Sequence, residues 1–396
     1  MFPTQEKPLT LEKKPQFRSQ LIRWFRTHQR RLPWRQTRDP YQIWVSEVML
    51  QQTQVKTVLT YYQRFLERFP DIRHLAAADL QEVLKGWEGM GYYGRARNLH
   101  RAAQMIVNDM GGKIPSQYQV FRRLPGVGEY IGAAVQSLAF DQPRAVLDGN
   151  VKRVVSRLFL MDSPLNTTSS LRLCKQRVED LLDPGRPGLF NQAMMELGAT
   201  ICHPRKPRCP VCPVSRFCQA YHTKRQNEIP VIPRTRSIPE HHVVAGIVCK
   251  NSHLLITRRK PAGLLGGLWE FPGGKVRMGE TAREACIREI REEVNLAIEI
   301  VDRLTRVKHA YTHFRIVMDI FRCRYRSGEV VLKGPVDHRW ITVEEVDRFP
   351  FPAANHKFIP LLKKQVDKGL CQRPGGSLKQ RTPAPEGGRR PSEKKV

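Results

Sequence analysis

Apolar residues recur at three- and four-residue spacing along the first half of the chain, and this spacing predicts amphipathic helices. The segments that show it are FRSQLIRWFRTH, YQIWVSEVMLQQTQVKTVLTYYQRFLERF, DLQEVLKGWEGM and GYYGRARNLHRAAQMIVNDM. Short turns with glycine or proline separate them. The first half is therefore predicted to be all-helical.

The second half has a different pattern. The runs HHVVAGIVCK, HLLITRR, FRIVMDIFRCRYR and EVVLK are rich in β-branched residues and predict strands. The segment TAREACIREIREEVN predicts a helix among them. We therefore expect an α+β domain in this half. Ahead of it, IPVIPRTRSIPE carries three prolines and basic residues, which is typical of an extended linker.

These patterns predict a multidomain chain with two folded parts, since single cores rarely grow beyond roughly 250–300 residues and this chain has 396. The expected segments are a flexible N-terminus at 1–15, a helical domain at 16–223, a linker at 224–240, an α+β domain at 241–366 and a disordered basic tail at 367–396. The tail is assigned from its high content of proline, glycine and charged residues.

The composition of the chain indicates which class of partner it binds. The chain has 67 lysines and arginines against 37 acidic residues, a formal net charge of +30. Such a surplus favours a polyanion, either nucleic acid or an anionic membrane. The sequence has no apolar run long enough to span a bilayer and no apolar signal segment at its start, so we expect a cytoplasmic protein without a membrane partner. In that compartment, its nine cysteines should be thiols or metal ligands.

Four of these cysteines are closely spaced. Cys202, Cys209, Cys212 and Cys218 follow the pattern C-x6-C-x2-C-x5-C, with prolines between them. Clustered thiols of this kind are hard to explain by packing. Both zinc and a 4Fe-4S cluster accept four thiolates, and the spacing alone leaves both open.

Two acidic residues stand out in the helical half. Glu47 lies among apolar residues in WVSEVMLQQ, where burial would raise its pKa so that it can act as an acid; the alternative is a surface glutamate on an amphipathic helix. Asp148 lies twenty residues after Gly128, the second glycine of the turn LPGVGEY. Asp148 or Asn150 would also serve as a helix N-cap, and that role is compatible with a functional one.

The cysteine spacing, LPGVGEYIGAAV and VLDGNVKRV resemble the endonuclease III superfamily of DNA glycosylases. RRLPWR, SEVMLQQTQV, GYYGRARNLH and NQAMMELGA then narrow the resemblance over residues 16–221 to the MutY family of adenine glycosylases. The resemblance implies a helix-hairpin-helix fold and a 4Fe-4S cluster rather than zinc. Tyr130 stands where strand-cutting members carry a lysine nucleophile, which implies a monofunctional enzyme.

The resemblance also implies a role for each matching residue. Glu47 would protonate adenine, and Asp148 would stabilise the cationic sugar. The supporting residues are Tyr130 and Asn150 beside the carboxylates, Arg30 and Trp34 in the adenine pocket, Gln52 and Tyr92 as wedges in the duplex, and Gly126 and Gly128 at the DNA backbone. The target base must leave the helical stack before it can react.

The second half resembles the Nudix fold. In GGKVRMGETAREACIREIREEVNL, the acids Glu289, Glu292 and Glu293 match the positions that bind Mg2+ in Nudix hydrolases. MutY proteins use this domain to read 8-oxoguanine, so Mg2+ is the less favoured alternative. Asn295 replaces the usual glycine, and asparagine tolerates a left-handed backbone. The residues Tyr311, Thr312 and His313 match the segment that contacts the oxidised base.

We therefore expect a monomeric, nucleoid-associated base-excision-repair enzyme that acts on duplex DNA with 8-oxoguanine:adenine or guanine:adenine mispairs. Two alternatives remain open. One is a bifunctional glycosylase/lyase for pyrimidine lesions, which Tyr130 and the second domain disfavour. The other is a nucleotide pyrophosphohydrolase whose helical half is a DNA-binding adaptor.

Overall fold

The structure is a computed structural model that describes residues 13–231 and 238–366. The expectations for residues 1–12 and for the tail at 367–396 lie outside the described residues. The first described part is helical, as predicted. Its helices are α1 (Lys14–His28), α2 (Pro40–Leu50), α3 (Val55–Arg68), α4 (Ile72–Ala77), α5 (Leu80–Gly86), α6 (Gly94–Asp109), α7 (Tyr118–Phe121), α8 (Glu129–Phe140), α9 (Gly149–Leu158), α10 (Thr168–Leu181), α11 (Pro187–Thr200) and α12 (Gln219–His222).

Two hydrophobic cores hold these helices together. One is built mainly from α2, α3, α5, α6 and α8 around Trp44 and Trp87, which are almost completely buried. The other joins α1, α9, α10 and α11, and the cysteine-rich segment packs against it. The cleft between the two cores is where a substrate can reach both groups of helices.

The long predicted helix over YQIWVSEVMLQQTQVKTVLTYYQRFLERF is wrong in one respect, because α2 ends at Leu50 and α3 begins at Val55. Gln52 between them has a φ of +56°, a left-handed conformation that stops a helix. The break is held by Arg95, whose guanidinium donates to the carbonyls of Met49 at 2.9 Å and Gln51 at 2.5 Å.

The second described part contains a mixed sheet with helices on its faces. The elements are β1 (Glu240–Lys250), β2 (His253–Arg258), β3 (Trp269–Glu270), α13 (Ala282–Val294), β4 (Ala297–Ala310), β5 (Arg315–Ser327), β6 (Asp337–Ile341) and α14 (Ile359–Val366). The strand order is β3-β2-β1-β5-β4, and β6 pairs with β2. β1 and β5 are parallel, whereas the other pairs are antiparallel. One face packs on α13 and the other on α14, so the predicted α+β class is confirmed.

Two details differ from the sequence pattern. EVVLK, residues 329–333, is not a strand. Its amides bond instead to the carbonyls at the end of α13, Val331 to Val294 at 3.2 Å and Lys333 to Glu293 at 2.9 Å. Conversely, the long strand β4 was not predicted, because its polar and apolar residues do not alternate regularly and only two of its side chains are fully buried.

The two parts pack against each other. Leu268, which precedes β3, is fully buried in the core formed by α2, α3, α5, α6 and α8. Gln81 on α5 accepts from the indole of Trp269 at 2.9 Å and donates to the Gly267 carbonyl at 3.1 Å. Arg97 donates to the Gly266 carbonyl at 2.6 Å. This docking brings the β4–β5 loop beside the turn that precedes α6. Among the described helices, none has both the length and the apolar character that crossing a bilayer requires.

Candidate active site

A cavity of about 580 Å3 lies between the two groups of helices. It gathers eight of the residues singled out from the sequence. They are Arg30, Trp34, Glu47, Gln52, Tyr92, Tyr130, Asp148 and Asn150. Residues from five separate stretches of the chain thus share one opening, which is large enough for a nucleobase with its sugar.

Glu47 lies in the middle of α2, and nearly all of that helix is buried, which leaves the carboxyl group 3% exposed. Tyr130, at the first turn of α8, donates its hydroxyl to Glu47 Oε2 at 2.5 Å. Burial raises the pKa of Glu47 to about 7; the Tyr130 hydrogen bond opposes this shift, and the nearby Asp148 carboxylate adds to it. Glu47 can therefore carry a proton near neutral pH.

Asp148 is the N-cap of α9, as one of the two sequence interpretations expected. Its Oδ1 accepts from the Val151 amide at 2.6 Å, and Oδ2 accepts from the Asn150 side chain at 2.9 Å. Burial raises its pKa, while the Val151 and Asn150 hydrogen bonds and the Arg153 charge lower it. The helix N-terminus also favours the ionised form. The cap fixes the carboxylate at the cavity wall.

The far wall of the cavity contains a buried ionic cluster. Glu196 on α11 is fully buried and accepts from the Arg30 guanidinium at 2.9 and 2.7 Å and from Arg35 at 2.8 Å. Burial alone would raise the pKa of Glu196, but the two arginines hold it at about 2. Trp34 lies beside them, 7% exposed, and contacts Tyr62 edge to face. Arg30 and Trp34 are thereby fixed in orientation.

Gln52 and Tyr92 lie at the cavity rim on two separate turns. Both have left-handed backbones, with φ of +56° and +51°, which is uncommon for residues with a side chain. Arg95 joins the two turns, because its guanidinium donates to Thr53 Oγ1 at 3.1 Å and to the Gly91 carbonyl at 3.1 Å. The strained backbones are therefore held by one buried arginine.

Gly126 and Gly128 lie in the turn between α7 and α8, outside the cavity. Gly126 has a φ of +76°, and a Cβ there would lie 2.8 Å from the Cβ of Asn98, so only glycine fits. Gly128 caps α8 with an extended backbone. The short helix, tight turn and second helix form a hairpin. The Val127 and Gly128 amides bond to carbonyls inside the turn, so the amides suited to phosphate are those of the first turn of α8.

The cysteine loop lies between α11 and α12. Cys212 and Cys218 contact the core formed by α1, α9, α10 and α11. Burial, and to a smaller extent the nearby thiols of Cys202, Cys209 and Cys218, raises the pKa of Cys212 to about 12. Arg157 donates to Cys202 Sγ at 3.1 Å. None of the cysteines in the described parts forms a disulfide.

The thiols of Cys202, Cys209 and Cys218 lie close enough to Cys212 to affect its pKa. In residues 13–231 and 238–366, no three side chains of His, Cys, Asp or Glu are placed to hold a single metal ion. A 4Fe-4S cluster does not require such a placement, since each thiolate there binds a different iron.

In the second part, Tyr311, Thr312 and His313 form the loop between β4 and β5. The Tyr311 ring stacks on Phe314 with 4.7 Å between centroids, whereas Thr312 and His313 are exposed. The Thr312 hydroxyl is hydrogen-bonded to the Tyr92 hydroxyl. The loop therefore reaches the rim of the cavity from the other domain.

The acids of the Nudix-like helix α13 are engaged by one arginine. Arg288 donates to Glu280 at 2.7 Å, to Glu289 at 2.9 Å and to Glu292 at 3.0 Å. Glu293 accepts from the Gly273 amide at 2.9 Å, and burial, reinforced by Glu270, raises its pKa to about 8. Glu289, Glu292 and Glu293 are thus neighbours whose charges are already matched or suppressed. Asn295 ends the helix with a φ of +60°.

Sequence reasoning missed several residues that shape the cavity. Arg35 and Glu196 lie inside the quoted motifs RRLPWR and NQAMMELGA, so the motif positions were the only signal for them. Arg95 and Arg97 lie inside the quoted motif GYYGRARNLH and bond to carbonyls inside the protein. Nothing in the local sequence distinguishes such internal arginines from surface ones.

Comparison with known proteins agrees with this geometry. Residues 45–179 match the profile of the HhH-GPD superfamily of base excision DNA repair proteins, and residues 243–361 match the NUDIX domain. A solved thermostable thymine-DNA glycosylase is 33% identical, with a TM-score of 0.50 over 54% of this chain and 99% of that one.

Curated relatives cover more of the chain. The adenine DNA glycosylase of Mus musculus is 33% identical over 83% of this chain and 74% of its own length. The Rattus norvegicus enzyme is 31% identical over 95% of this chain and 83% of its own length. Because these matches run through both domains, the chain belongs to the adenine DNA glycosylase family.

Proposed function

We propose that this chain is a monofunctional glycosylase that hydrolyses the bond between adenine and deoxyribose where adenine is mispaired with 8-oxoguanine or guanine in duplex DNA. The observation that carries the proposal is that Glu47 and Asp148 line one cavity. Glu47 has a pKa of about 7, and Asp148 is the N-cap of helix α9. Two carboxyl groups in different environments can divide the work of an acid and a charge stabiliser.

Glu47 supplies the proton. When the flipped adenine enters the cavity, the protonated Glu47 donates to a ring nitrogen of the base, which makes the base a better leaving group. The hydrogen bond from Tyr130, at 2.5 Å, keeps the carboxyl oriented. Glu47 is only 3% exposed, which keeps competing water away from its carboxyl group.

Asp148 stabilises the sugar. As the bond to adenine breaks, both bonding electrons leave with the base and positive charge develops on the sugar ring. The ionised Asp148, held by Val151 and Asn150, lowers the energy of this cation through its charge. Water then adds to the anomeric carbon and releases a proton. Tyr130 cannot form the Schiff base that strand cleavage by a lysine requires, so the strand remains intact.

The cavity rim opens the duplex. Gln52 and Tyr92 stand on rigid turns at the opening, where they can occupy the space that the extruded adenine leaves. Arg30 and Trp34 form the wall against the base. The hairpin amides after Gly126 and Gly128 bind the DNA backbone. The net charge of +30 supports a duplex as the partner, bound by one copy of the chain.

The cysteine loop fits a 4Fe-4S cluster. Cys202, Cys209, Cys212 and Cys218 would hold it, with the buried Arg157 donating to Cys202 Sγ. Such a cluster would stiffen the loop that carries exposed Arg205, Lys206 and Arg208. Iron and sulfide analysis, together with the broad visible absorbance of an iron-sulfur protein, distinguishes this cluster from zinc.

The second domain, residues 241–366, would read the base opposite adenine. Thr312 and His313 are exposed on a loop that reaches Tyr92, and so they lie beside the site where the duplex is opened. The Tyr311 ring supports this loop because it stacks on the Phe314 ring. Residues 224–240 would link this domain to the catalytic domain at 16–223. Arg288 already neutralises the acids of α13, so no chemical step is assigned to them.

The test is incubation with a duplex that carries one 8-oxoguanine:adenine pair. We expect release of free adenine and a strand that breaks only after alkali treatment. Direct nicking without alkali would favour the bifunctional alternative. If protein that contains its full iron complement released no adenine and left a strand that stays intact even after alkali, the proposal would be refuted.

A further inference from the structure

The turn between α5 and α6, residues Glu88–Tyr93, connects the cavity to the second domain. It needs three left-handed residues, Gly89 at φ +94°, Gly91 at +73° and Tyr92 at +51°. A backbone of this kind keeps its shape only when its surroundings hold it. Tyr92 projects from the turn into the rim of the cavity. Whatever holds the turn therefore also holds Tyr92.

Glu88 holds the turn against the second domain. Its Oε1 accepts from the Phe351 amide at 2.7 Å and lies 3.1 Å from His356 Nε2, while its Oε2 accepts from Lys85 at 2.5 Å. The side chain is only 14% exposed. Burial alone would raise the pKa of Glu88, but the bonds from His356, Lys85 and Phe351 lower it. Glu88 is thus an ionised carboxylate buried between the domains.

Two neighbouring contacts act in the same place. Lys85 also donates to the Phe349 carbonyl at 3.1 Å. The Tyr93 hydroxyl donates to the Phe351 carbonyl at 3.2 Å and accepts from the Gly89 amide at 3.1 Å. Both ends of the turn are therefore bonded to one segment of the second domain, Phe349–Lys357, which we call the bridging segment.

The bridging segment reaches the β4–β5 loop on its other side. The backbone of Ala354 hydrogen-bonds the Tyr311 hydroxyl, and Lys357 donates to the Lys308 carbonyl at 2.6 Å. Phe351 fixes the segment in the core, where its ring stacks on Phe271 at 5.5 Å. One rigid segment thus contacts Glu88 on one side and the Tyr311 loop on the other.

We propose that Glu88 is a positioning residue that couples the second domain to Tyr92, so that the base read by the Tyr311–His313 loop controls how well the cavity rim is formed for adenine excision. This inference rests on the proposed function. The route runs from the loop through the bridging segment to Glu88, and from there along the turn to Tyr92. Loss of Glu88 leaves every group of the cavity in the chain and removes the support that the turn receives from the second domain, while Arg95 still bonds to the Gly91 carbonyl at 3.1 Å.

The test compares Glu88→Ala with Glu82→Ala in the full chain. Glu82 lies on α5, the helix just before the turn, but it is half-exposed and pairs with Arg68 within the helical domain. The first measurement is amide hydrogen exchange of residues 88–93 without DNA. We expect faster exchange in Glu88→Ala and unchanged exchange in Glu82→Ala. Equal exchange in both variants and the parent protein overturns the proposal, whatever the activity.

The second measurement is the single-turnover excision rate on duplexes with adenine opposite 8-oxoguanine and opposite guanine, corrected for active fraction. We expect Glu88→Ala to slow the 8-oxoguanine duplex by roughly tenfold to a hundredfold, the cost of a small misplacement, and the guanine duplex by less. Equal slowing of both duplexes overturns the coupling, because a purely structural defect would act on both alike.

A double variant locates the effect. If Glu88 acts through the bridging segment, Glu88→Ala/His356→Ala should excise no more slowly than Glu88→Ala alone, because the two changes break one contact. Fully additive losses overturn the proposed route. If the parent protein excises adenine from neither duplex, the proposed function fails, and the exchange measurement still decides whether Glu88 holds the turn.

Discussion

The two domains of this chain each carry a small set of glutamates and aspartates, and the sets differ in what surrounds them. In the helical domain, Glu47 and Asp148 face a cavity, and neither forms an ion pair closer than 4 Å among the described residues. On α13 and just before it, Glu280, Glu289 and Glu292 all bond to Arg288. The same residue types are left without an ion pair in one place and share one in the other.

Burial alone does not separate the two sets. Glu293 is also buried, and its pKa rises to about 8, near the value of about 7 for Glu47. The difference lies in the neighbours of each group, because both line a cavity. Glu47 shares its cavity of about 580 Å3 with Asp148, whereas Glu293 lines one of about 360 Å3 beside Glu270 and Arg259 and also accepts the Gly273 amide. A perturbed pKa indicates a functional site only together with the groups placed around it.

Glu47→Gln should have the largest effect. The amide keeps the shape of the carboxyl group and can still bond to Tyr130, but it has no proton to donate. We expect single-turnover excision to fall by roughly a hundredfold to ten-thousandfold, with duplex affinity retained. The control is Glu293→Gln, an acid whose pKa is also raised but which lies in the second domain and lines a different cavity, so this variant should excise adenine at the parent rate. Retained turnover in Glu47→Gln would contradict the assignment.

Asp148→Asn separates the charge of Asp148 from its structural role as the N-cap of α9. Asparagine is as good an N-cap as aspartate, so α9 should keep its start and the protein its melting temperature. The loss of negative charge beneath the sugar should slow excision on the order of a hundredfold. Circular dichroism checks the fold, and quenched-flow or gel assays give the rate. A variant that melts normally and reacts at the parent rate would remove Asp148 from the mechanism.

The pH profile depends on the same pair. Excision needs Glu47 protonated, so the rate should fall as pH rises through about 7, the raised pKa of this group, by about tenfold for each further unit. The rate should also fall at low pH, where Asp148 takes up a proton. Burial raises the pKa of Asp148 above its ordinary value of 3.8, so this fall should begin at a higher pH than for an exposed aspartate. In Glu47→Gln the fall at high pH should disappear. An alkaline limb that persists in that variant would assign it to another group.

Much of the difference between the two domains could be predicted from the sequence. The helical and strand patterns correctly separated the two halves, and the motifs named eight residues that the structure gathers around one cavity. The break between α2 and α3 was not visible, because no glycine or proline marks it and Arg95, more than forty residues later, stabilises it. Local propensity cannot report a bond between distant residues.

Strand β4 was missed for a related reason. Its polar side chains are paired across the sheet rather than buried, as Arg306 on β4 is with Asp319 on β5 at 2.8 Å. The alternation of apolar and polar residues that marks a half-buried strand is therefore weak. The partners of Arg288 were equally hidden, since helix spacing shows which acids share a face and not which arginine binds them.

Arg288→Met should affect stability rather than chemistry. It leaves Glu280, Glu289 and Glu292 close together without their shared cation, so their mutual repulsion should lower the unfolding temperature of the second domain by several degrees. Arg277→Met is the matched control, because Arg277 is exposed and bonds to Glu292 alone. Calorimetry at low and high salt measures both variants, and salt should reduce the difference. Equal melting of the two variants would show that Arg288 has no special role.

The smallest effect is expected from Mg2+. A Nudix hydrolase needs a free set of carboxylates to hold the ion against a diphosphate, and here three of the acids share Arg288 while Glu293 accepts an amide. Added Mg2+ should therefore produce no measurable pyrophosphate from 8-oxo-dGTP, in the parent protein or in Glu289→Gln. Release of pyrophosphate that depends on the metal and is abolished in Glu289→Gln would mean that Arg288 gives up its bonds to these carboxylates when Mg2+ binds. The two sets of acids would then differ in what they bind, and not in whether they are reactive.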